Sequence, residues 1–170
     1  LPVERIELEE SNVLPGESEN ENFNRAEEKP VKAIPMHSLY IDGKEYNPQI
    51  DEAYILLGIA RYFDGRFVQA LDAFNFILKT YHTSNNINQA KVWRAKTQIR
   101  LNNEEIAIEN LLKMKKNKEI SKKDLADASA ILAQAYINLD SIEAAMPYIR
   151  YASENVKDDE LKGRYTYILG

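Results

Sequence analysis

From Asn47 onward, apolar residues recur every three or four positions. Ile50, Ala53, Tyr54, Leu57 and Ala60 fall on one stripe, interrupted only when Arg61 is reached, and this is the spacing of an amphipathic helix. Asn47-Pro48 offer an N-cap followed by a proline suited to the first helical position, and Gly65 is placed to end the helix. Phe67, Ala70, Leu71, Phe74, Ile77 and Leu78 make the stripe of a second helix. Upstream the pattern is lost. Residues 9–22 (EESNVLPGESENEN) are polar and acidic, a composition that predicts a disordered or loosely draped loop. Ala26 to His37 looks helical by composition, but Pro30 and Pro35 limit it to short pieces. Asp42-Gly43, between Tyr40-Ile41 and Lys44-Glu45-Tyr46, marks a tight turn suited to a hairpin. The chain thus divides into a mostly irregular N-terminal segment, 1–46, and a helical domain, 47–170.

The helical domain repeats itself. A small residue recurs at Gly58, Ala95, Ala133 and Gly170, with spacings of 37, 38 and 37. A second alanine follows each of the first three, at Ala70, Ala107 and Ala145, and a large apolar residue stands four positions further on, at Phe74, Leu111 and Ile149. Close crossing of two helices requires a small side chain, and a large neighbour fills the space beside it. The order resembles the tetratricopeptide (TPR) pattern W-x2-L-G-x2-Y, A-x3-F, Pro over about 34 residues. Tyr54, Leu57-Gly58, Ala70 and Phe74 carry it in the first repeat, and Leu132-Ala133, Tyr136, Ala145 and Ile149 in the third. The second departs most, with Arg94 in place of leucine, and His82 stands where the closing proline belongs. Acids at Glu104-Glu105 after Asn102-Asn103 suit a helix start. Ser121 with Asp124 and Asp140 with Glu143 read as capping boxes. Pro147 should kink the helix that contains it. The expected fold is all-α: a TPR-like helix-turn-helix solenoid of three repeats (about 51–87, 88–125 and 126–162) and the start of a fourth (163–170), behind an irregular acidic segment. About seven helices should lie between 47 and 170.

Charge and cysteine usage narrow the function. The net charge of −5 lies entirely in residues 1–35, with nine acidic and four basic side chains, while the remainder carries 18 of each. Nucleic-acid binding, which needs a basic face, is therefore not expected. The 170 residues include no cysteine, which excludes disulfides, thiol catalysis and thiolate metal sites. No apolar run approaches the roughly 20 residues of a membrane-spanning helix. His37 and His82 are the only histidines, too few for a metal site without carboxylate help. No Ser/His/Asp order, phosphate-binding glycine loop or paired catalytic carboxylates stand out, so neither enzymatic activity nor a cofactor is expected. Asp158-Asp159-Glu160 suits the first turn of a further helix. The chain starts at Leu1 without a Met and ends at Gly170 within a helical pattern, as expected of a fragment with any targeting signal upstream.

A stack of helix pairs curves, with its first helices lining the concave side. In this register the first repeat contributes Ile55, Ile59, Tyr62 and Phe63. The second adds Val92, Lys96, Ile99 and Arg100, and the third adds Ala130, Gln134, Ile137 and Asn138. Such an apolar strip edged by Lys96 and Arg100 would suit a segment of a partner protein, unless residues 1–46 fold back and cover it. A second candidate is the lysine cluster Lys113, Lys115, Lys116, Lys118, Lys122 and Lys123. It reads either as a helix C-terminus and turn, where cations are favoured, or as a docking patch for an acidic partner, the chain's own N-terminal segment included. Trp93 and the tyrosines of the first helix read as core aromatics before a ligand pocket.

One stretch is more specific. Glu45 through Leu78 reads EYNPQIDEAYILLGIARYFDGRFVQALDAFNFIL, and LPVER opens the chain with MHS at Met36 to Ser38. These segments resemble the SprE/PorW family, TPR lipoproteins of gliding motility and type IX secretion in Bacteroidetes. The resemblance covers most of the chain and is strongest over 1–5 and 36–101. It implies an outer-membrane lipoprotein facing the periplasm, held to the membrane only by a lipid anchor upstream, with partners among the outer-membrane translocon and the periplasmic ring. The family's lipid-bearing cysteine is absent here, consistent with a start downstream of it. The alternative is a generic bacterial TPR module that binds peptides in co-chaperone fashion, clamping a C-terminal carboxylate with Lys and Asn. Ile55 and Ile59 occupy the positions that such a clamp would use. The fold expectation is directly measurable: far-UV circular dichroism should be dominated by helix, and a strand-dominated spectrum would reject the repeat reading.

Overall fold

The computed structural model describes residues 39–41, 44–46, 50–81, 84–117, 119–155 and Gly163. Strands β1 (Leu39–Ile41) and β2 (Lys44–Tyr46) pair antiparallel, with Leu39 opposite Tyr46 and Ile41 opposite Lys44. That register leaves Asp42-Gly43 as the connection, where the sequence places a turn; the turn itself lies outside the described residues. Six helices follow: α1 (Ile50–Phe63), α2 (Phe67–Thr80), α3 (Ile87–Arg100), α4 (Glu104–Lys115), α5 (Lys122–Asn138) and α6 (Ile142–Asn155). Apart from the hairpin, the described chain is all-helical. The expected seventh helix and the acidic loop at 9–22 fall outside the described residues. The chain separates into two compact units, Leu1–Ile87 and Asn88–Gly170, the first holding the α1/α2 pair and the second α3 to α6.

The same turn joins α1 to α2, α3 to α4 and α5 to α6. Its pivot is left-handed each time, at Gly65 (φ 76°), Asn102 (φ 56°) and Asp140 (φ 53°). The pivot N–H donates three residues back, Gly65 to Tyr62 O, Asn102 to Ile99 O and Asp140 to Ile137 O. The next N–H reaches five back, Arg66 to Arg61 O (2.9 Å), Asn103 to Gln98 O (3.0 Å) and Ser141 to Tyr136 O (2.9 Å). These two bonds make the Schellman motif, which satisfies carbonyls that a helix end would otherwise leave bare. Glycine adopts the pivot conformation without penalty, and Asn and Asp are the side chains that tolerate it best. Asp140 therefore closes α5 and does not cap α6, against the expected capping box; Ser141 is the residue that precedes α6. The other expected cap is present: Ser121 Oγ accepts from Asp124 N–H at 3.0 Å at the start of α5. α6 runs on through Pro147 from Ile142 to Asn155.

The repeated small and large residues meet in the core. Ala70, Phe74, Ala95, Ala107, Leu111, Ala133, Ala145 and Ile149 are all fully buried. In the first unit an ideal Cβ on Gly58 would lie 2.5 Å from Phe74 Cε1, so α1 and α2 approach as closely as they do only because position 58 has no side chain. In the second unit, where Leu111 and Ile149 replace the phenyl ring, alanine suffices. Ala95, Ala107 and Leu111 share one cluster with Val92, Met114, Ala128 and Leu132. Ala133, Ala145 and Ile149 share another with Ala126 and Ala152. Tyr136 and Tyr148 pack against both clusters, their rings stacked at 5.7 Å. Arg94 marks the departure of the second repeat: Leu57 and Leu132, its equivalents, are buried, whereas Arg94 buries an Nε with no hydrogen-bond partner among the described residues.

Gly58→Ala should therefore destabilise by about 1–3 kcal/mol, despite alanine's helix propensity being better by about 1 kcal/mol. Phe74→Leu introduced into Gly58→Ala should recover part of that loss, with a coupling of about 1 kcal/mol in a double-mutant cycle. Gln69→Leu, on an exposed position, should cost little. Urea midpoints of the four variants provide the check.

Candidate partner-binding surface

In the first unit the two isoleucines of the expected strip are not surface residues. Ile55 and Ile59 are 2% and 8% exposed. With Ile50, Ala53, Leu57, Gly58 and Ala60 also buried, α1 is enclosed on more than one side, as a helix apolar over most of its circumference should be. Tyr62 is half-buried, edge-on to Phe63 at 5.5 Å and to Phe67 at 5.4 Å. Phe63 is the strip residue of this unit that reaches solvent, at 52% exposure. A polar clasp that the sequence pattern did not reveal closes the unit. Asp51, in the first turn of α1, accepts from Ser84 Oγ and from Asn86 Nδ2 (3.3 Å), while its other oxygen accepts from Glu52 N–H (2.8 Å).

In the second unit the exposed members of the strip are polar. Val92 is buried, and Ile99 and Ile137 are packed against the core clusters. Ala130 is partly buried as well. Lys96 and Gln134 are half-buried, and Arg100 and Asn138 are exposed. The Lys96 ammonium sits 4.5 Å from the Trp93 ring centroid, a cation–π contact one helical turn long. Burial lowers the Lys96 pKa below the usual lysine range and neighbouring Arg100 lowers it further, with Asp127 opposing both. Burial likewise raises the Asp127 carboxyl above its ordinary value, against the pull of Lys123 and Lys96. On α5, Gln134 Nε2 donates to Asn138 Oδ1 at 2.6 Å, and Asn138 Nδ2 donates to Glu104 Oε1 at 3.0 Å. Glu104, which the sequence suggested only as a first-turn acid, is thus buried and bonded across to α5. Gln98, also buried, accepts from Asn110 at 3.4 Å. These bonds link residues 12 to 35 positions apart, beyond any local spacing, so periodicity carried no signal of them.

The lysine cluster divides. Lys113 pairs with Glu109 at 2.6 Å on the surface of α4, and that contact holds the Glu109 carboxyl below its ordinary range. Lys115 lies 4.4 Å over the Tyr148 ring. Lys116, Lys122 and Lys123 are exposed, and Lys118 lies outside the described residues. Lys113 and Lys115 occupy the last turn of α4, where the helix dipole favours cations. Lys122 and Lys123 open α5, where it disfavours them, so the helix-terminus explanation covers only half the cluster. His37, His82 and the 158–160 acids lie outside the described residues. Among the described residues no three His, Asp or Glu side chains gather as a metal ion would need, and no helix is long and apolar enough to cross a membrane.

No protein-family model matches the chain, and no curated protein matches it either.

The raised Asp127 pKa has a consequence for stability. A carboxyl whose pKa is higher in the folded than in the unfolded state binds protons preferentially when folded, so its contribution is favourable at low pH and is lost as pH rises through the folded pKa. Asp127→Asn, which mimics the neutral form, should be more stable than the parent at neutral pH, by no more than a few tenths of a kcal/mol because solvent screens this half-exposed group. The difference should vanish on acidification through the carboxylate range. Urea melts at several pH values test this, and a pH-independent difference would refute it.

Proposed function

We propose that this chain is a non-enzymatic protein-interaction scaffold of the TPR type, working as a periplasmic lipoprotein component of the type IX secretion machinery that also supports gliding motility. The observation that carries the scaffold reading is the left-handed turn at Gly65, Asn102 and Asp140, each followed by the buried alanine and large apolar residue of the repeat signature. A chain built from one unit used again offers extended faces. The secretion assignment rests on the resemblance of LPVER, Met36 to Ser38 and Glu45 through Leu78 to the SprE/PorW family, which implies anchoring at the outer membrane and contact with the translocon and the periplasmic ring.

Within this reading the partner-facing groups of the second unit are Lys96, Arg100, Gln134 and Asn138, which would orient a partner segment by charge and hydrogen bonding. Phe63 and Tyr62 supply an aromatic contact in the first unit. Ile55, Ile59, Val92, Ile99 and Ile137 act from beneath as core. The carboxylate-clamp alternative is weaker, because Ile55 and Ile59 stand at the clamp positions and are buried. Tyr62→Ala and Arg100→Glu, with and without residues 1–46, should each reduce capture of type IX translocon and ring components from Bacteroidetes periplasm by about fivefold to tenfold, at unchanged helicity. Undiminished capture by folded variants would remove this face from the proposal, and absence of those components from every capture would overturn the secretion assignment.

A further inference from the structure

Five of the six large apolar side chains exposed among the described residues lie within four positions of a left-handed turn residue: Phe63 and Val68 near Gly65, Ile106 near Asn102, and Leu139 and Ile142 near Asp140. In the second unit the two turns share one edge, because α4 packs against α5 and Asn138 Nδ2 bonds Glu104 Oε1 across the gap at 3.0 Å. Ile106, Leu139 and Ile142 are 50%, 38% and 46% exposed there. The Schellman turns use backbone groups alone and do not require these side chains to be apolar. The charge on this edge is mainly acidic, with Arg100 exposed at the end of α3 two residues before the Asn102 turn. Neither Leu101–Leu112 nor Asn138–Ile149 contains a Lys or Arg, whereas Glu105, Asp140 and Glu143 are exposed among them. The lysines of α4 and α5 lie at the other end of those helices, with Lys113, Lys116, Lys122 and Lys123 exposed on either side of the α4–α5 connection.

We propose that the turn edge formed by Ile106, Leu139 and Ile142 with Glu105, Asp140 and Glu143 docks a cationic, amphipathic segment of a partner protein, with aliphatic side chains of the segment against the three aliphatics and its Lys or Arg against the acids. Charge selects this occupant. An anionic membrane surface would be repelled by the same acids, and an acidic peptide would favour the lysine end. The docking role of this edge does not rest on the secretion assignment.

A labelled amphipathic helix of leucine and lysine serves as the probe, titrated with the full chain and followed by fluorescence anisotropy. Ile106→Ser with Ile142→Ser should weaken binding about tenfold, at low and high salt alike. Glu105→Lys with Glu143→Lys should weaken it comparably at low salt and much less at high salt, where exposed charges are screened. Lys116→Glu with Lys122→Glu, at the opposite end, should leave binding unchanged or slightly tighter. All substitutions are at exposed positions, and unchanged melting confirms that each variant is folded. Equal affinity in the parent and both edge variants overturns the proposal. Self-association in sedimentation that Ile106→Ser abolishes overturns it in favour of a second copy, and pelleting with phosphatidylserine vesicles that Ile106→Ser abolishes overturns it in favour of a lipid surface.

Discussion

The approach of α1 to α2 at Gly58 sets the geometry on which the first helical pair depends. With a Cβ position only 2.5 Å from the Phe74 ring, the two helices can cross there only if one contributes no side chain at all. The ring then fills the crossing completely, and Phe74, Ala70 and Ile77 are sealed from solvent. The second unit meets the same constraint with different residues. Ala95 and Ala133 are one methyl group larger than glycine, and the facing positions hold Leu111 and Ile149 in place of phenylalanine. Small and large positions vary together because interiors are packed to a fixed density and cannot absorb a methyl group without strain.

The turns make that crossing repeatable. A Schellman motif fixes where one helix ends and the direction in which the next departs, using only backbone bonds and one left-handed residue. Gly65, Asn102 and Asp140 share a left-handed conformation, and a buried alanine follows each of them five residues on. Backbone geometry thus sets the unit, and side-chain chemistry is left to differ between one copy and the next. In the second unit that freedom produces a Lys96–Trp93 contact beside a desolvated Asp127, an acidic edge bearing exposed aliphatics, and lysines at the other end of the helices.

Legibility in the sequence followed the range of each interaction. The helix end at Gly65, the helix limits to within a few residues and the Ser121 cap were readable because each depends on residues within one or two helical turns. Asp140 was misread because Asp is favoured both as an N-cap and in the left-handed conformation; one residue of register decides between them, and only the bond from Ser141 N–H to Tyr136 O settles it. Whether the first-unit strip is open or covered was not legible for another reason. Periodicity separates apolar from polar faces, but α1 is apolar on several faces, and the pattern does not indicate which of them lies under other parts of the chain.

The sequence by itself determined the helical class, the period of 37 to 38 residues, and the small and large positions at each crossing, because these depend on backbone propensity and local spacing. Tertiary structure decided which groups reach the surface. It buried Ile55, Ile59 and Val92, left Arg100 and Asn138 at the surface, and tied Glu104 to Asn138 and Asp51 to Ser84 and Asn86. Those outcomes depend on residues about one repeat apart in the chain, and no local pattern records such a pairing, since burial and hydrogen bonding are settled by whichever elements the packing brings together.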